Sequence, residues 1–289
     1  MEVERDALQE RILRQYAAEH EALGEAGALA LLDRGRQWDL SEALRRGGVI
    51  VFPHAGVADC GHQTAAAVHA CLDCGADRVI VISVLQAFTD AMQEARVRVA
   101  AGEAPSQFRH WGIQGTGLAG RQDWRSDHAL MSFRYLWQAE IKRRGVRGPE
   151  VVERYPYLAG GKPWELPGYD EVAKLAEDAV IVSTADPFHH GIGYGDAPEA
   201  AYWPDETGLA VARRRIEEGI DVLAKGDDWG YNQHCVDAKS DARDAGQLYR
   251  ALRGPLSGRI LDLVYTDATA LYAAPPPTWV AGALIVWEK

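Results

Sequence analysis

Residues 47–85 read "GGVIVFPHAGVADCGHQTAAAVHACLDCGADRVIVISVL", and their pattern decides the fold. "VIVF" (Val49–Phe52) is an uninterrupted apolar run of strand length. Without alternation it suits a strand buried on both faces. "HQTAAAVHACLDCG" is a helical stretch of small residues, with Gly75 as its C-terminal stop. "ADRVIVISVL" is a second buried strand. Strand, helix and strand within about forty residues predict a βαβ unit and hence a parallel sheet.

Outward from this unit, "DAVIVSTAD" (Asp178–Asp186) is a third buried strand, followed by "PFHHGIGYGD". "GRILDLVYTDA" and "TWVAGALIVWEK" are β-rich segments that complete the sheet. Helical spacing covers residues 5–33, "DHALMSFRYLWQAEIKRRG", "ETGLAVARRRIEEGIDVLAKG" and "AKSDARDAGQLYRALRG". "FTDAMQEARVRVAAGE" fits helix or strand equally. "FRHWGIQGTGLAGRQDWRS" reads as an ordered loop, and Pro149–Tyr169 as a long surface excursion. No repeat or linker divides the chain. The expectation is one α/β domain over 1–289, with a central mixed, largely parallel sheet flanked by helices. Residues 1–46 form an N-terminal helical segment and 47–289 the core.

The composition, 47% hydrophobic and 25% charged over 289 residues, supplies a sizeable core. A formal net charge of −11 disfavours nucleic-acid and anionic-membrane partners. No apolar run approaches the roughly 18–20 residues of a membrane span, and the acidic, helical N-terminus is unlike a signal peptide. A cytoplasmic protein acting on a small molecule is expected, with homo-oligomerisation left open. Cys71 and Cys74 form a C-x-x-C pair. No second pair completes a zinc site, and the pair ends a helix where a redox motif would begin one, so a structural role is expected.

Polar chemistry gathers where buried strands end. His54 follows the first strand, and Asp186, His189 and His190 follow the third. Ligands of open α/β sheets bind at these carboxyl ends, where imidazole serves as metal ligand or as acid/base. His128 opens a helix that Ser126 or Asp127 caps. His234 and Cys235 lie between two helices in "WGYNQHCVDA". His69 reads as packing, while His62 is close enough to the strand end to be a reserve candidate. Tyr194, Tyr202, Phe188 and Trp203 could flank a planar substrate near the third loop, or simply pack there.

In chain order these pieces resemble the Memo family, relatives of the class III extradiol ring-cleaving dioxygenases. The family's "PHAGY.Y.G" is matched by "PHAGVADCG" and its "EHS.E" helix by "DHALM". "SSDF.H.G" corresponds to "STADPFHHG", the "CG" loop to "NQHCVDA", and "YAAGAL" to "WVAGAL". The resemblance implies a metal pocket, with Fe(II) or another divalent ion held by His54 and by His234 or Cys235. It implies His189 as catalytic acid/base, Asp186 beside it and His128 lining the pocket. The second ligand histidine falls at Gln86, which leaves a substrate-binding role for the amide together with His190, Tyr194 and Trp203; His62 is another stand-in ligand. The implied activity is a non-heme iron dioxygenase on a small aromatic or organic acid. Two alternatives remain: metal-free acid/base chemistry in the same pocket, as in a hydrolase, lyase or isomerase, and a non-catalytic binding protein.

Overall fold

A computed structural model describes residues 5–87, 89–118, 124 and 127–289. In chain order the helices and strands are α1 (Arg5–Gly35), α2 (Ser41–Arg45), β1 (Val49–Phe52), α3 (Val57–Asp73), β2 (Arg78–Ile82) and α4 (Asp90–Ala100). Next come β3 (Gly112–Gln114), α5 (Met131–Arg144), β4 (Glu150–Tyr157), α6 (Tyr169–Ala176), β5 (Val180–Thr184) and β6 (Phe188–Gly191). The chain continues with α7 (Glu206–Ala224), α8 (Asp228–Asp237), α9 (Arg243–Arg253), β7 (Ser257–Asp267), α10 (Thr269–Tyr272) and β8 (Thr278–Glu288).

The strands form one sheet in the order β3-β4-β2-β5-β1-β8-β6, with β7 pairing along β8. β4, β2, β5 and β1 are parallel, and the remaining pairings are antiparallel. Side chains of a strand alternate between faces, so each parallel strand feeds two cores. Ile50, Phe52, Val79, Val81, Val180 and Val182 pack with α1, α3 and α5. Val49, Val51, Ile80, Ile82 and Ile181 pack on the other face with α7, α8 and α9. Each such buried side chain contributes about 1.5–3 kcal/mol. The expected single α/β domain with a mixed sheet between helices is thus present. The N-terminal segment belongs to it, because α1 packs against both α3 and α5. The close approach of α1 and α3 explains their small residues: a Cβ added at Gly35 would lie 2.7 Å from the Ala65 Cβ.

Three segments differ from their sequence reading, and a fourth, ambiguous in sequence, is decided. The supposed surface excursion contains β4, an inner strand ending in buried Tyr155 and Tyr157. Its outer half is only partly buried, which hides the apolar signature, and Pro156 lies beyond Arg154, the last residue paired with β2. "WGYNQHCVDA" is not a loop but helix α8, capped by Asp227, whose carboxylate accepts the Gly230 N–H. The ambiguous segment after β2 is helical, with Thr89 capping α4 through the Met92 N–H. The loop expected at 108–126 contains β3, and much of the rest of it lies outside the described residues.

The parallel strands all deliver their carboxyl ends to one edge of the domain. β1 leads to His54, β2 to Gln86 and β5 to Asp186. β6 then turns back against β8, pairing His189 with Val280. It ends at Gly191, whose φ is 108° and where an added Cβ would meet the Pro277 carbonyl oxygen at 2.1 Å. Gly191→Ala is therefore expected to lower unfolding free energy by about 2–4 kcal/mol, seen as a reduced urea midpoint.

Candidate metal centre

Three ligand-grade side chains converge at the carboxyl edge of the sheet. His54, Asp186 and Asp241 each present one donor atom, all within 4.8 Å of one another. The His54 Nε2 lies 3.1 Å from Asp241 Oδ2 and 3.6 Å from Asp186 Oδ2. The Gln86 amide nitrogen stands 3.4 Å from both His54 Nε2 and Asp241 Oδ2. Oxygen and nitrogen of an amide are interchangeable by rotation, so Gln86 can offer this point either a donor N–H or a neutral oxygen ligand.

Backbone contacts hold this arrangement. The His54 N–H donates to Asp186 Oδ1 at 3.0 Å, and the Asp186 N–H donates to Asp241 Oδ1 at 2.7 Å. The Asp241 N–H returns a 3.4 Å bond to the Asp186 carbonyl. Asp241 reaches the site because α8 ends at Asp237 and the chain reverses through Lys239 at φ 52°. The Gln86 N–H donates to Asp127 Oδ2, whose other oxygen accepts from the Ala129 N–H. Tyr16 on α1 donates its hydroxyl to the His54 carbonyl at 2.7 Å.

The hydrogen-bond network also assigns the His54 tautomer. The Thr184 hydroxyl donates its one proton to the Phe52 carbonyl at 3.0 Å. At 3.2 Å from His54 Nδ1 it must therefore accept, which places a proton on Nδ1. Nε2 is left facing the carboxylates, the orientation a metal-ligating imidazole takes when its other nitrogen is hydrogen-bonded.

Electrostatics follow from placing these groups together out of water. Burial opposes charge on His54, but Asp186 and Asp241 outweigh it and raise its pKa to about 9. Asp186 is raised by burial and by the charge of Asp241, with His54 opposing. Burial also works against Asp241, yet His54 and the Asp186 N–H bring it below the usual carboxylate range. Asp241 is thus the charged member of the pair, and Asp186 takes up the first proton. Asp127 is pushed up to about 6 by burial. His128 is lowered to about 3, first by burial and then by the charge of His54, and so stays neutral.

The residues expected to share a pocket separate into two groups. His54, Gln86 and Asp186 meet, with His128 5.8 Å from His54 ring to ring. The His189 ring lies 4.8 Å from that of Tyr194, and among the described residues its buried Nδ1 has no partner. His190 faces the opposite way, because neighbours on a strand point to opposite faces. Its Nδ1 lies 3.0 Å from Asp196, its Nε2 accepts the Tyr202 N–H, and it stacks on the Tyr202 ring at 3.6 Å. Trp203 is 59% exposed at the protein surface. His234 packs against Gly219 of α7, and Cys235 is buried beside Tyr231 and Ser240, so neither reaches the cluster. His62 lies 2.9 Å from Asp262 of β7. Asp241 occupies the position expected for His234 or Cys235, and nothing in the local pattern "KSDARD" distinguishes it from a helix-initiating acid. His69 packs as expected, against the Leu32 carbonyl and Glu140.

No protein-family profile matches this chain, and no curated protein matches it.

One imidazole, two carboxylates and an amide make a donor set suited to a divalent first-row cation, harder than two imidazoles would be. A cation must displace the proton held on His54 Nε2. Metal affinity, measured by titration calorimetry, is expected to increase from pH 6 towards pH 9 and then level off. Without metal the sign reverses. A raised histidine pKa stabilises fully below about 6.5, and that contribution disappears as pH rises through about 9. Asp241→Asn should weaken metal binding at least about tenfold.

Proposed function

We propose that this chain is a metal-dependent enzyme whose centre is held by His54, Asp186 and Asp241, and that it acts as an oxidoreductase of the non-heme dioxygenase type on a small aromatic or organic acid. The observation that carries the metal-dependent reading is the convergence of the three donor atoms at the carboxyl edge of a parallel sheet. Support for dioxygenase chemistry comes from the resemblance to the Memo and extradiol families. Two residues it implies, His54 and Asp186, supply two of the three donor atoms. The mixed nitrogen and oxygen donors suit Fe(II) or Mn(II).

When bound, the cation supplies open positions for substrate oxygen and O₂. The protein's own residues do the rest. Nε2 of His54 and the carboxylates of Asp186 and Asp241 bind the cation. Asp127 fixes the backbone of Gln86, so the amide addresses the substrate from one side. The unpartnered Nδ1 of His189 takes a hydroxyl proton from the substrate and returns it later. Tyr194 holds that ring edge-on, and neutral His128 offers the pocket an acceptor.

A second reading rests on a specific contact. The 3.1 Å approach of His54 Nε2 to Asp241 Oδ2 is within ion-pair distance, so a protonated His54 balances the carboxylates without a cation. The same cluster would then perform metal-free acid/base chemistry.

One experiment separates the readings: anaerobic purification, metal quantification, and O₂ uptake with candidate catechols before and after chelation. Stoichiometric metal and chelator-sensitive uptake are expected. Turnover that survives chelation would establish the acid/base reading instead. His189→Ala should cut kcat by about 10²–10⁴ while leaving metal affinity within a few-fold.

A further inference from the structure

Among the described residues, two arginines close in the chain to site residues or their neighbours, one buried and one half-buried, have no carboxylate partner. Arg243, the first residue of α9, is only 9% exposed. Among the described residues its side chain makes no hydrogen bond and no ion pair. Asp244 is the carboxylate acting on it most strongly, but one oxygen of Asp244 already accepts the Ala159 N–H at 2.8 Å. Arg96 of α4 is half-buried. It donates one N–H to the Leu85 carbonyl, and its Nε is buried without a partner. Asp127 feels the charge of Arg96, yet both of its oxygens are occupied by the N–H groups of Gln86 and Ala129.

The two cations share a neighbour. The Arg96 guanidinium lies 5.6 Å over the Tyr157 ring, and the charges of Arg96 and Arg243 both act on the Tyr157 hydroxyl. Neither guanidinium pairs with a carboxylate among the described residues, and bringing two like charges near one another adds nothing to stability. α9 adds to the positive field, since Ala242 at its N-cap provides no side-chain cap. Each arginine is also tied to the site: Arg96 to the residue before Gln86, and Arg243 two residues after Asp241. Tyr157 ends β4 at the same edge of the parallel strands that leads to His54, Gln86 and Asp186.

We propose that Arg96 and Arg243 form an anion subsite, which holds a carboxylate or phosphate group of the substrate next to the candidate metal centre. Two guanidiniums supply paired N–H donors matched to either anion. The bound anion neutralises the repulsion that the empty subsite maintains. The subsite's role in substrate binding rests on the function proposed above; the binding of an anion there does not.

Thermal unfolding of the full chain in the presence of a chelator tests the subsite independently of metal. Inorganic phosphate and benzoate are titrated separately, against sodium chloride of equal ionic strength. A Tm that rises and saturates with one of them is expected, because a ligand of the folded state alone stabilises it. Saturation at lower phosphate identifies a phosphoryl group, and at lower benzoate a carboxylate. Arg243→Met should raise Tm without added anion, since it removes an unpaired buried charge, and should abolish the saturable response. Arg96→Lys should weaken that response at least fivefold, while Arg213→Met on the exposed face of α7 should leave it intact. No saturable response beyond the chloride control overturns the proposal. So does a lower anion-free Tm, or a failure to fold, in Arg243→Met, which would show that this arginine is structural. Loss of the metal-dependent reading would leave the anion response in place, so the two failures are distinguishable.

Discussion

Asp186 and Asp241 are held side by side against one imidazole, and the backbone N–H groups that make this tolerable tie together three distant segments. The His54 N–H serves Asp186, and the Asp186 N–H serves Asp241. Two carboxylates out of water repel unless a proton or a cation lies between them. The cluster therefore links folding to the charge of His54, which lies between the carboxylates and balances them. A fold that places β1 beside β5 and swings the chain back before α9 creates this obligation.

Around that cluster the polar residues divide by what the backbone does with them. Thr184 sets the His54 tautomer, and Asp127 anchors Gln86. On the other side of β6, Asp196 joins His190, the Gly191 N–H and Lys239. Lys239 stands two residues before Asp241, so this second network braces the turn that delivers the carboxylate. His190 is thus part of the frame, while His189, its immediate neighbour, meets the Tyr194 ring edge-on.

Much of the fold is legible in the chain because the central strands are buried on both faces. Residues 49–52, 79–82 and 180–182 read as apolar runs, since every one of them is buried. β4 escapes notice because its first half is only partly buried and its second half carries a proline between tyrosines. α8 escapes notice because its residues do not gather into an apolar stripe. His54 and Asp186 are visible as polar residues directly after such runs. His234 and Cys235 look equally suitable in the sequence, but a helix turns them towards Gly219 and Tyr231 instead.

By itself the sequence determined the alternation of strands and helices, the parallel core of the sheet and the edge where chemistry gathers. Each of these follows from local hydrophobic periodicity and from the rule that ligands sit beyond strand carboxyl ends. Only the tertiary structure decided the membership of the site. Asp241 lies 187 residues from His54 in the chain, and no local pattern can report that they meet. Nor can a pair of adjacent histidines announce which one meets Asp196 and which Tyr194 until the strand carrying them is paired. The physical reason is the same in both cases: a side chain's environment is set by what packs against it, and those partners come from elsewhere in the chain.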